Sequence, residues 1–400
     1  MKKKLYLSLL LASYLLGDTQ IDEMQEQLRI QQTQLDALIR KNTNQSASFS
    51  QNAYMPDMAF ILNMSALSRD VKNSDYITYN IPGFIDNANT IENEIPYNAN
   101  KGFNFNYAEV ALSSTVDPYF DAFVIFHLSP DEFEIEEAYV KTRTLPYNLR
   151  AKAGKFRSAF GRINAKHQHT WNFDSQPIIY EAIFGVEANS DAGVQLQWLA
   201  PTDTYLMLGL EAMQGTNELS FGDTEGNSQY NAYLKSSVDI GEDLSLLGGL
   251  SYAHGSNTST NKTDIYGVDL TIRYQINSYS SFVWQSEYLD RTMDIGNPTK
   301  DKQAGFYSEL NYEVNMNYAL GFRYDAITKN EASSLASYTV DTNNLVRYTA
   351  KLDYEPFEMS RLRLQFSKDN TKIIAGQRRE TNEVLLSLNI AAGAHNAHDY

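Results

Sequence analysis

The sequence predicts an all-β fold, a transmembrane antiparallel β-barrel of about sixteen strands preceded by a short N-terminal coiled-coil helix. Three observations carry that prediction. From Asp57 onward, stretches of about ten residues alternate apolar and polar side chains, as strands do when one face meets lipid and the other water. Many of the apolar faces end in Tyr or Phe, drawn from 27 Tyr and 19 Phe, which suits the aromatic girdles at two membrane interfaces. The links between stretches alternate between tight and long.

The N-terminus sets the route. Lys2, Lys3 and Lys4 precede the apolar run "LYLSLLLASYLL", which has the length of a signal-peptide core and is too short for a helical membrane span. Residues 1–17 therefore read as a signal peptide and the chain as exported. With no Cys there is no disulfide, thiol nucleophile, Cys-ligated zinc or lipid-anchored start. The formal charge of -16 argues against nucleic acid as a partner.

In residues 18–42, Ile21, Met24, Leu28, Gln31, Leu35, Leu38 and Asn42 fall at alternating spacings of three and four. These are the a and d positions of about three heptads. A trimeric coil with Gln31 and Asn42 setting register fits the pattern, and so does a lone amphipathic helix. Residues 43–56 are polar and read as a linker, leaving 57–400 for the barrel.

Strands are expected at 58–68, 103–114, 120–128, 133–143, 149–156, 191–199, 205–212, 229–240, 245–254, 263–274, 281–290, 305–314, 319–327, 345–355, 361–368 and 382–392. In "IYGVDLTIRY", Tyr266, Val268, Leu270, Ile272 and Tyr274 share one face, and Asp269, Thr271 and Arg273 the other. In "SPDEFEIEEAYV" the apolar phase shifts between Ile135 and Ala138, which predicts a β-bulge near Glu136 or Glu137. Links after even-numbered strands are tight, as in "VDPY", "TLPYN" and "GEDL". Those after odd-numbered strands are long and polar, namely 69–102, 157–190, 213–228, 291–304, 328–344 and 369–381, with "SPDE" the short exception. Short periplasmic turns and long outer loops belong to a barrel in the outer membrane of a Gram-negative bacterium, with both termini in the periplasm. Outer-membrane lipid, lipopolysaccharide and the barrel-assembly machinery are then expected partners.

The stretch "AGKFRSAFGRINAKHQHTW" resembles a segment of the phosphate-selective porin family, and a short coil ahead of a barrel recurs among its relatives. The chain is also similar to barrels labelled zinc-regulated TonB-dependent outer-membrane receptors, but about 380 mature residues cannot hold a plug and a 22-stranded barrel. The resemblance implies passive diffusion of small hydrophilic or charged solutes, a homotrimer, and an inward-folded loop after the fifth strand. That loop places Arg157, Arg162, Lys166, His167, His169 and Asp174 at a pore constriction; the alternative is a loop capping the barrel or packed at a trimer contact.

On the polar faces, Arg273, Arg323, Arg347, Lys351, Arg361 and Arg363 are expected as a basic wall, with Glu134 and Glu136 among the acids opposite. These charges either orient solutes or pair across strands. No cofactor is expected. His167 and His169, on one side of an extended segment, are the candidate zinc ligands, and a metal-related receptor barrel is an alternative reading. Hydrolase chemistry has only His167 or His169 near Asp174, with no Ser-centred elbow and no HExxH, so no enzyme is expected. A surface barrel that displays its loops for adhesion is a third class. Counting back in twos, terminal Tyr400 is in phase with the apolar face of the last strand, which marks it as an assembly signal.

Overall fold

In a computed structural model, residues 56–393 are described except 86–96, 131–132, 187, 223–225, 227, 259–260 and 297. The expected signal peptide, the coiled coil, all but the last residue of the linker, and Tyr400 lie outside the described residues.

Sixteen strands close one antiparallel barrel. They are β1 (Asp57–Arg69), β2 (Gly102–Thr115), β3 (Phe120–Leu128), β4 (Phe133–Thr142), β5 (Leu149–Arg157), β6 (Ser190–Leu199), β7 (Tyr205–Met213) and β8 (Gln229–Ile240) in the first half. The second half holds β9 (Leu244–Ser256), β10 (Lys262–Asn277), β11 (Ser280–Gly296), β12 (Thr299–Glu313), β13 (Tyr318–Glu331), β14 (Val346–Phe357), β15 (Ser360–Asp369) and β18 (Thr381–Gly393). The two-residue strands β16 (Ile373–Ile374) and β17 (Gln377–Arg378) form a separate small hairpin in the loop between β15 and β18. Each barrel strand pairs with its neighbour in sequence, and β1 closes onto β18 from Ala59 opposite Gly393 to Arg69 opposite Glu383. Closure leaves no unpaired edge, the condition for placing backbone amides in hydrocarbon.

Sixteen strands appear where alternation predicted them, and most differences are of a few residues at the ends. The largest is at 291–304, expected as a loop: β11 and β12 run on into it, with Thr292 opposite Lys302 and, after a register shift at Asp294, Gly296 opposite Thr299. Polarity there signals a hairpin rising beyond the apolar band, not a break in the ladder. In β4 the register slips between Ile125 and Phe126 on the partner strand, so that Glu137 faces Ile125 and Ile135 faces Phe126. Glu136 is the extra residue, and the bulge turns Glu134, Glu136 and Glu137 toward the interior together.

From β10 to β18 the odd-numbered side chains of the barrel strands face inward and are mostly buried, while the even-numbered ones face outward. The outer face is apolar and bounded by paired aromatics. Phe282 stacks on Tyr312 at 4.3 Å and Tyr318 on Tyr354 at 5.0 Å near the turns, while Tyr324 meets Tyr348 at 5.0 Å nearer the far end. Because Leu352 lies between such girdles on the outer face, Leu352→Arg is expected to destabilise the folded barrel by about 2–4 kcal/mol. Urea titration in lipid vesicles measures this, and an unchanged midpoint would mean that this face does not contact hydrocarbon.

The interior is not an empty tube. A cluster of buried apolar residues joins loop 70–101 (Val71, Tyr76, Tyr79, Ile81, Phe84, Ile85), segment 158–189 (Phe160, Ile163, Trp171, Tyr180, Phe184) and inward-facing wall residues such as Ala253, Ile265, Leu289 and Tyr307. Loop 70–101, expected as an outer polar loop, thus supplies core. A helical turn α1 (Asn73–Tyr76) and a seven-residue helix α2 (Ile178–Phe184), every residue of it buried, carry part of this packing.

Candidate functional site

Segment 158–189 leaves β5 and meets inward-facing side chains of one strand after another. The Ala159 amide donates to Glu211 on β7 at 2.9 Å, the Gly161 amide to Ser251 on β9 at 2.9 Å, and the Arg162 amide to Glu287 on β11 at 2.9 Å. Asn172 donates to Glu309 on β12 at 2.6 Å, and the Ile178 amide to Asp325 on β13 at 3.0 Å. Arg361 on β15 donates to the His169 carbonyl at 2.9 Å. Carboxylates thus satisfy amides that a non-helical segment would otherwise leave bare. Gly161, with φ of +63°, is required where the backbone passes the Tyr180 hydroxyl, because a Cβ would overlap it.

The charges of the expected basic wall hold this segment. Arg323 donates to the Ser175 carbonyl at 2.8 Å and pairs with Asp325 at 3.0 Å. Arg347 also pairs with Asp325, at 3.3 Å, donates to the Gln176 carbonyl, and lies 3.7 Å from Glu181. Arg363 and Lys351 share Asp353, each at 2.7 Å, while Phe173 lies under the Arg323 and Lys351 cations. Asp174 accepts from Ser387 at 2.6 Å and lies 3.6 Å from Arg363. Arg273 is apart from this group, exposed near the turn end and 3.3 Å from Glu313. Arg347 and Arg363 thus pair with carboxylates of the neighbouring strand, and Arg323 and Lys351 with the same two carboxylates on their own strand.

Against β2 to β5 the arrangement differs. The imidazole of His167 is surrounded by carboxylates: Nε2 lies 3.0 Å from Glu137, and Nδ1 3.2 Å from Glu136 and 3.7 Å from Glu109. His169 Nδ1 lies 3.4 Å from Glu109, and the two rings stack at 5.9 Å. Arg157 donates to Glu136, and its amide to Glu137 at 2.8 Å. Burial opposes a charge on His167, but the Glu136 and Glu109 carboxylates outweigh it and hold the imidazole well above its usual range. Glu134 sits aside, on Lys155.

A cavity of about 440 Å³ opens on the turn side of this cluster, bounded by β1 to β5 through Ala59, Ala111, Ile125, Tyr139 and Lys152, and reaches Arg157 and His167. A cleft lined by Tyr97, His127, Glu134 and Glu136 also reaches Arg157. Segment 158–189 thus brings Arg157 and His167 together, with His169 beside Glu109. Asp174 is placed against β15 and β18, beside Gln365, Arg363 and Ser387, and Arg162 and Lys166 lie toward Glu287, Glu309, Asp269 and Lys235. Glu109 and Asp325 were missed. Both share the inward phase of their strands, in "YAEVAL" and "FRYDA", which is the signal that would have found them.

Residues 74–393 match the model of a family described as "Putative beta-barrel porin-2, OmpL-like". The chain belongs to this family. A protein of Aquifex aeolicus (strain VF5), itself uncharacterized, is 37% identical over 393 residues, covering 90% of this porin and 83% of that protein. Solved structures sharing its fold include the outer-membrane channel DcaP of Acinetobacter baumannii, at 10% identity and a TM-score of 0.56, with 86% of this chain and 99% of that one covered. An anion-selective porin from Comamonas acidovorans matches at 11% identity and a TM-score of 0.54, over 84% and 99% of the two chains. The trimer form of OmpT from Vibrio cholerae matches at 11% and 0.53, over 84% and 99%. The porin is an outer-membrane β-barrel of a Gram-negative bacterium, and its family and fold are those of channels.

Proposed function

We propose that this porin passes small hydrophilic and charged solutes by passive diffusion, through a water-filled route along β1 to β5 that segment 158–189 narrows. The observation carrying this reading is the placement of the 440 Å³ cavity, lined by mixed charge and ending at Arg157 and His167. There Arg157, His167, Glu109, Glu136 and Glu137 form the constriction. Arg162, Lys166 and Asp174 act elsewhere along the segment, and the basic wall serves as its anchor. Solutes meet acids and one guanidinium at close range, so both charge and size select. A homotrimer is the working assembly, supported by the trimer form of the OmpT structure. Catalysis has no part in this reading.

Single-channel recording tests it. Purified protein in planar bilayers is expected to give ohmic steps, three at a time if trimers insert. Absence of any conductance would contradict the proposal. The same recordings read Lys166. Burial and the neighbouring Arg162 guanidinium hold its ammonium down to about 8, with Glu309, Glu287 and Lys235 also facing it. Raising pH from 7 to 9 therefore removes a positive charge from the interior, and reversal potentials are expected to move toward cation preference. Lys166→Met should show that preference already at pH 7 and a smaller change with pH. Equal pH responses in both proteins would assign the change to other groups.

A further inference from the structure

We infer that the carboxylate and imidazole cluster at the head of the cavity is a binding site for a divalent transition-metal ion, with His167, Glu109 and Glu136 as ligands. Their ligand atoms lie within 4.8 Å of one another. The separations between His167 Nδ1 and its two carboxylate partners are 3.2 and 3.7 Å. Those values bracket the edge of about 3.3 Å expected of a tetrahedron with metal–ligand bonds near 2.0–2.1 Å.

The surroundings are those of a metal centre rather than of a simple ion pair. Glu137 faces Nε2 of His167 at 3.0 Å, where it would accept the N–H of an imidazole that ligates through Nδ1, and Nδ1 faces Glu109 and Glu136. A carboxylate behind a ligating histidine in this way sets its tautomer and raises its basicity. His169, 3.4 Å from Glu109, positions that carboxylate from the other side. It is thus a positioning residue, not the second imidazole ligand expected from the spacing of the two histidines.

Charge favours a cation. Three carboxylates face one guanidinium, Arg157, which binds Glu136 and leaves a second lone pair on that oxygen, with Lys152 the next cation at Glu137. The cavity reaches His167 and Glu109, so the fourth position faces solvent and takes water. A hard cation such as magnesium prefers an all-oxygen octahedron, which a buried imidazole does not supply.

Cobalt(II) and zinc(II) are the probes, added to the purified full-length porin in detergent. One cobalt ion per chain is expected, with the intense visible bands of tetrahedral coordination, displaced by zinc at micromolar concentration. His167→Gln and Glu109→Gln should abolish the bands, Glu137→Gln should weaken affinity about 10–100-fold, and Glu134→Gln, outside the cluster, should bind as wild type does. Heat-modified gel migration confirms that each variant is folded, and Glu137→Gln keeps all three ligands if either ligand variant fails to fold. Micromolar zinc should also block current in wild type and not in Glu137→Gln. Wild-type protein that retains no ion, or ligand variants that bind as tightly as wild type, would overturn the inference. Ion retention is read without current, so its failure is separable from failure of the channel reading.

Discussion

Replacing Asp325 with alanine is expected to release segment 158–189 from the barrel wall, raising both conductance and current noise. The Asp325 side chain is fully buried, pairs with Arg323 at 3.0 Å and Arg347 at 3.3 Å, and accepts from the Ile178 amide at 3.0 Å. Its removal leaves two buried guanidiniums short of a counter-ion and costs about 3–5 kcal/mol, because desolvated charges are tolerated only while paired. The wall itself keeps its ladder of backbone hydrogen bonds between β13 and β14. The loss therefore falls on the segment, whose Ser175 and Gln176 carbonyls are held by the same arginines. Asp325→Asn, retaining an acceptor for Ile178, should lie between alanine and wild type. Guanidinium titration in detergent and single-channel recording read the two effects. Wild-type conductance and noise in Asp325→Ala would show that these pairs do not hold the segment.

Phe160→Ala is expected to cost a similar amount, about 3–5 kcal/mol, by a different route. Phe160 is fully buried in the interior apolar cluster, edge-on to Phe184 at 5.7 Å and packed over Gly267 of β10, where a Cβ would come within 3.0 Å of its ring. Truncation opens a void in a cluster that joins the first loop, the segment and the wall, so partial collapse cannot refill it. Hydrogen exchange should rise in α2 and in loop 70–101 while the barrel strands stay protected. Uniform exchange across strands and loops would mean that the cluster and the wall unfold as one unit. The contrast with Asp325 is informative, since charge anchors the middle of the segment and apolar packing anchors its two ends.

Alternation exposed the barrel because lipid imposes period two on every strand, and one face of β10 or β14 reads off directly. The bulge at Glu136 was legible for the same reason, as a slip of phase between Ile135 and Ala138. Where the outer face leaves the apolar band the constraint ends, and 291–304 could not be told from a loop although β11 and β12 continue into it. Interior packing was harder. Tyr79, Ile81 and Phe84 in the first loop have no period to betray their burial, because they pack against residues far away in sequence. The arginines of β13 to β15 were visible as inward-facing, but what they face is set by the path of segment 158–189. Asp325 and Asp353 lie two residues from Arg323 and Lys351 in the same phase, a spacing that announces pairing within one strand face. For the cluster at His167, β4 supplied Glu136 and Glu137 by a bulge and β2 supplied Glu109, brought near each other by pairing through β3, and only the path of segment 158–189 adds the imidazole.

Cysteine accessibility tests the central claim, that solutes pass along β1 to β5 while the wall at β13 to β15 is covered. The chain contains no cysteine, so single substitutions give an unambiguous readout. Ala111→Cys places a thiol on the cavity wall, and Thr349→Cys places one between Arg347 and Lys351, where Thr349 is 1% exposed. A negatively charged methanethiosulfonate reagent added to open channels is expected to block current rapidly through Ala111→Cys and to leave Thr349→Cys unaffected. Rapid block at Thr349→Cys, with none at Ala111→Cys, would contradict this route.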